Sequence, residues 1–133
     1  MIEKNFEGVS VRWVIALKGE AEEIIKNYAM KRVETTPFPV YKNKDLDMWL
    51  ILSGIGQLNA VAATSYLYVK SDASYNTIWI NFGIGGSRNF KVGELIQIDK
   101  ITSSDFQDNY YPSPTAFKLS LIHISEPTRQ PII

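Results

Sequence analysis

Glu20 is the residue best placed to do chemistry in this chain. It stands just beyond an apolar, β-rich run, Val11 to Leu17 (VRWVIAL), and open α/β sheets bind their ligands outside the carboxyl ends of such strands. A carboxylate there can orient a water molecule or accept hydrogen bonds from sugar hydroxyls. A plainer role is also open: a first-turn glutamate contributes about 0.3–1 kcal/mol through the helix dipole. The second feature is the glycine-rich segment Asn81-Phe82-Gly83-Ile84-Gly85-Gly86 at the end of another apolar run. Without Cβ atoms, its backbone amides can approach a ligand closely, or the segment can be a simple tight connection. A dinucleotide-binding loop would open a helix. Here Ser87 to Gly93 follows, too short and turn-rich for one, so a nicotinamide-binding reductase is disfavoured.

Other chemistries are narrowed by what the sequence contains. With no cysteine, disulfides, thiolate metal sites and a cysteine nucleophile are all excluded. Fourteen basic residues balance fourteen acidic ones and no Lys/Arg cluster is dense, so no nucleic-acid partner is expected. Residues 1–12 lack an apolar signal segment, and no apolar run approaches a membrane span. The expectation is a cytoplasmic protein with no membrane partner, no metal and no cofactor. At 133 residues, 45% hydrophobic and 21% charged, the chain suits one ordinary globular core.

The elements that must position Glu20 and the glycines follow from periodicity. Val11–Leu17 reads as a strand buried on both faces. Residues 20–31 read as a helix, with Ala21, Ile24, Ile25, Tyr28 and Ala29 on one face, Glu20, Glu22 and Glu23 in the first turn, and Lys31 and Arg32 at the end. Pro37 and Pro39 mark a loop, and Val40–Lys42 and Met48–Leu52 flank a polar turn as a hairpin. Ser53-Gly54-Ile55-Gly56 closes that strand, and Gln57–Val69 forms an Ala-rich helix. Asn76–Phe82 is a further buried strand and Leu95–Ile101 another, whereas Asp105–Tyr111 and two prolines read as a loop. This order predicts an α/β fold, a mixed central sheet flanked by helices, incomplete at the C-terminus.

Leu119 to Arg129 (LSLIHISEPTR) is similar to the translation of a transposon-derived sequencing adapter, matching at all eleven residues in one frame. Residues 1–118 are therefore expected to be the N-terminal part of a single domain, and residues 119–133 a non-native tail. His123, the only histidine, receives no catalytic or metal role. Removing Glu126 and Arg129 leaves the charge balance neutral.

Taken in order, Ala16-Leu17-x-x-Glu20-Ala21, Ser53-Gly54-Ile55-Gly56, Ile80-Asn81-x-Gly83-x-Gly85-Gly86 and Lys91-Val92-Gly93-Glu94-Leu95 resemble the purine/uridine nucleoside phosphorylase superfamily. Within it, the likeness is to the nucleosidases that hydrolyse methylthioadenosine and S-adenosylhomocysteine, over about Val11 to Tyr111. The resemblance implies a nucleoside phosphorylase-like domain that cleaves N-glycosidic bonds, with a small-molecule nucleoside as partner. It implies that Glu20 positions the attacking water and that Ile55 lines the site near the 5′ substituent. It implies also that Gly85 and Gly86 line the base and ribose pocket. Asp105 falls where those enzymes have an aspartate in the loop after the strand. Ile84 stands where they have a serine, a departure that leaves the nucleoside open. Phosphorylases of the group place a Gly-Asp-Pro turn and arginines where this chain has Lys18 and Gly19, so hydrolysis is favoured over phosphorolysis. The family's base-protonating aspartate and ribose-binding Met-Glu pair lie downstream and are not recognisable here. Loss of general acid catalysis removes typically about 10²–10⁴-fold in rate, and the 133-residue chain is expected to be inactive. Two other readings stay open, a phosphate-dependent phosphorylase and a non-catalytic nucleoside-binding relative. Relatives form dimers or trimers, so self-association is an expectation for the full-length protein.

Overall fold

The structure is a computed structural model that describes residues 6–98, 100–103 and 106–112, with side chains described as far as residue 98. The chain divides into two compact units, Met1–Gly83 and Ile84–Ile133.

The first unit is a mixed α/β sheet of five strands carrying two helices. In chain order these are β1 (Val11–Ile15), α1 (Lys18–Asn27), β2 (Lys31–Glu34), β3 (Val40–Lys42), β4 (Met48–Leu52), α2 (Gln57–Lys70) and β5 (Ile78–Phe82). The sheet order is β2-β3-β4-β1-β5. β1 lies parallel to β4 and to β5, with Ile15 opposite Leu52 on one side and Phe82 on the other. β2, β3 and β4 pair antiparallel. Every residue of β1 is buried, as expected for a strand flanked on both edges and covered on both faces. β5 is only half-buried, a correction to the expected buried strand, because it holds an outer position in this sheet.

The two faces carry two cores. On one, Val11, Trp13, Ile15, Met48, Leu50 and Leu52 meet Ala21 of α1, with Ile24, Ile25 and Tyr28 packed at the margin. On the other, Val14, Val40 and Ile51 meet Ala63 and Leu67 of α2. The alternation along β1, Trp13 to one face and Val14 to the other, is the period-two geometry of a strand. Full burial of each Leu, Ile or Val contributes roughly 1.5–3 kcal/mol.

Both helices end in the same way. Met30 N–H bonds to Ile25 O at 2.8 Å and Ala29 N–H to Lys26 O at 3.1 Å, the paired bonds of a Schellman motif, with Ala29 left-handed at φ 47°. At the end of α2, Ala73 bonds to Tyr68 O at 3.1 Å and Asp72 to Val69 O at 3.3 Å, with Asp72 at φ 52°. The first helix was expected to reach Lys31. It stops at Asn27, and Lys31 and Arg32 belong to the exposed strand β2 instead. A charged strand with little apolar alternation gives no periodic signal. β2 is tied to α2 through Glu34, which accepts from the Tyr66 hydroxyl at 2.6 Å and pairs with Lys70 Nζ at 2.8 Å.

The second unit contains an antiparallel pair, β6 (Lys100–Ser103) and β7 (Phe106–Pro112), with Ile101 opposite Tyr111 and Thr102 opposite Tyr110. Two expectations change here. The strand expected over 95–101 starts only at Lys100, and residues 95–98 form no ladder; an apolar run becomes a strand only where a partner supplies hydrogen bonds. The loop expected over 105–111 is strand β7 from Phe106, since its aromatic residues favour a pleated surface and Pro112 falls at its very end, where a missing N–H is tolerated. Upstream, Glu94 N–H bonds to Lys91 O at 3.2 Å with Gly93 at φ 88°, a turn that favours glycine at that position.

Candidate functional site

β1 and β4 are neighbours, yet the chain leaves β1 toward the α1 face and leaves β4 toward the α2 face. Such a divergence opens a crevice at the carboxyl ends of the strands, the usual ligand position in open α/β sheets. The two departing segments run together beyond the sheet. Ser53 N–H bonds to Ile15 O at 2.9 Å and Gly54 N–H to Ala16 O at 2.9 Å. The Ser53–Gly56 segment is thereby fixed against Ile15 and Ala16.

Two glycines shape that segment. Gly54 has φ 78° and Gly56 φ 104°, left-handed conformations in which a side chain is strained. Between them Ile55 is 64% exposed, so the turn presents an apolar side chain outward at the start of α2. Asn59 holds the turn by donating from Nδ2 to Ile55 O at 2.7 Å. Leu17, on the β1 side of the same rim, is also exposed; the sequence reading did not single it out.

Glu20 lies in the first turn of α1, its N–H bonded to Leu17 O at 3.1 Å, and is half-buried. Its carboxylate reaches back over the sheet. Oε2 lies 2.7 Å from the position a Cβ would take on Gly83, the residue immediately after β5. Glu20 and the first glycine of the Gly83–Gly86 segment therefore meet at the carboxyl end of β1 and β5. Ile84, Gly85 and Gly86 belong to the second unit and are exposed. Asp105 lies outside the described residues, as do His123 and the adapter-like segment 119–129.

Acid–base behaviour is displaced at Glu34 and its partners. Lys70 and Tyr66, hydrogen-bonded to Glu34, hold its carboxyl below the usual carboxylate range. Glu34 in turn raises Lys70 and Tyr66, and burial raises Tyr28. An open cavity of about 490 Å³, lined by Ala29, Lys31, Val33, Lys42, Asn43, Lys44 and Asp45, lies toward the amino end of β4. Three lysines line it, and Lys42 there lies over the Trp49 ring at 5.1 Å. The rim is the better candidate. No group of three or more His, Cys, Asp or Glu residues suited to a metal occurs among the described residues, and no described helix is long and apolar enough to cross a membrane.

A mixed sheet with a carboxylate set beside a glycine at the carboxyl ends of its parallel strands has the layout of a ligand-binding open α/β protein. No protein-family model matches the chain, and no curated protein matches it. Among solved structures it is similar to the 5′-methylthioadenosine/S-adenosylhomocysteine nucleosidase from Neisseria meningitidis in complex with methylthio-immucillin-A. The two share 30% identity with a TM-score of 0.51, over 64% of this chain and 38% of that one. The chain thus spans well under half the length of that nucleosidase. The fold is nucleosidase-like: a mixed five-stranded sheet with two helices.

Proposed function

We propose that this chain carries the water-directing half of a site that hydrolyses the N-glycosidic bond of a purine nucleoside. The observation that supports the reading best is the Glu20 carboxylate set against Gly83 at the carboxyl end of β1 and β5. The likeness to a solved nucleosidase supports it at the level of the fold.

Cleaving such a bond builds positive charge on the sugar and negative charge on the departing base, by analogy with glycoside hydrolysis. The C1′–N bond breaks, its electrons leave with the base, and water attacks C1′ from the opposite face. Glu20 orients that water and takes its proton. An acid must protonate the base, and we place that acid outside residues 1–118. Ile55, on its outward-facing turn, is proposed to meet the 5′ substituent. The roles of Ile84, Gly85, Gly86 and Asp105 as substrate contacts rest on the resemblance. We further propose that residues 119–133 are adapter-derived and that turnover belongs to the protein read from the genomic frame beyond the codon for Lys118.

The test is release of free base from purine nucleosides, followed by chromatography, with and without phosphate. The protein from the genomic frame is expected to release base at the same rate in both, and the 133-residue chain to release none. Release only with phosphate would make the protein a phosphorylase; tight binding with no release would make it a nucleoside binder.

A further inference from the structure

Gly83 need not be glycine for the sake of its backbone. Its φ lies outside the left-handed range in which Gly54, Gly56 and Gly93 are found. Space is what excludes a side chain. A Cβ built on Gly83 would stand 2.7 Å from Glu20 Oε2 and 3.9 Å from Glu20 Cδ, and carbon does not approach a carboxylate oxygen at the shorter distance without one of them moving. The obstructing atom is the far end of a flexible side chain, so the glutamate and not the sheet would yield. Ile15 and Phe82 are register partners in adjacent strands, which fixes the end of β5 beside the segment leading to Glu20. The bare backbone at Gly83 thus leaves open the room that the carboxylate occupies.

We infer that Gly83 is the positioning residue for Glu20: the missing Cβ at the end of β5 sets where the carboxylate lies, and any side chain there displaces it from its catalytic position. The inference rests on the proposed role of Glu20. It assigns Gly83 no contact with the substrate.

The experiment compares Gly83→Ala, Glu20→Gln and the double variant in the protein expressed from the genomic frame. Gly83→Ala is expected to keep the parental melting temperature while lowering kcat by about 10²-fold with KM little changed, the pattern of an interaction used in the transition state. Added to Glu20→Gln, it is expected to lower kcat no further. A parental kcat in Gly83→Ala, or losses that multiply in the double variant, would overturn the inference. Should Gly83→Ala not fold, the Glu20→Ala background removes the obstruction and must restore folding; failure there would also overturn it. A parent that releases no base defeats the proposed hydrolysis alone. The positioning inference is then decided by the ¹³C resonance of the Glu20 carboxyl, which a methyl group at position 83 must move; an unmoved resonance would overturn it.

Discussion

Arg12 is 1% exposed in an inner strand of the sheet, β1 between β4 and β5, a place where a charge is expensive unless it is well hydrogen-bonded. Its donors are met. Nε bonds to Ser71 Oγ at 2.7 Å and Nη2 to Ser71 O at 2.9 Å. Nη1 bonds to Val11 O and Asp47 O, and pairs with Asp47 Oδ1 at 2.9 Å. The guanidinium therefore links β1, the end of α2 and the β3–β4 turn. The two charges of the pair differ in weight, because the Asp47 side chain is 54% exposed. Removing Asp47 forfeits a largely solvated pair worth about 0–1 kcal/mol. Removing Arg12 leaves a cavity and unmet carbonyl acceptors, and Arg12→Ala is expected to lower stability by about 3 kcal/mol or more. Urea unfolding of Arg12→Ala beside Asp47→Ala checks this, and equal losses would contradict it.

At the scale of elements, the apolar runs were legible and the breaks between them were not. β1, β3, β4, α2 and β5 follow from VRWVIAL, the hairpin pattern, the Ala-rich segment and NTIWINF, since burial demands a periodic apolar face. The end of α1 was not legible, because Ala29 is a strong helix former occupying a left-handed cap where glycine is usual. That mismatch is a prediction as well as an explanation. A left-handed alanine is strained by about 1 kcal/mol or more, so Ala29→Gly is expected to raise stability by about 0.5–1 kcal/mol net of the added chain entropy. A lower melting temperature in Ala29→Gly would count against the cap geometry. β2 and β7 escaped for a different reason: each is completed by a partner, β3 or β6, while the charges of β2 and the polar Gln107-Asp108-Asn109 run with Pro112 in β7 read locally as a break.

At the scale of the whole first unit, the sheet places a glutamate from the start of α1 and a glycine from the end of β5 at one rim, beside the turn that presents Ile55. The position of Glu20 past a buried strand was readable in the sequence. Its contact with Gly83 was not, because strand order decides which distant segments meet, and only pairing β1 between β4 and β5 brings them together. The account turns on what that carboxylate does. The most direct measurement is base release from a purine nucleoside by the protein of the genomic frame and by its Glu20→Gln variant, which keeps the shape and removes the base. Glu20→Gln is expected to fold as the parent does and to release base about 10²–10⁴-fold more slowly. An unchanged rate would show that the water is directed from elsewhere and would contradict the account.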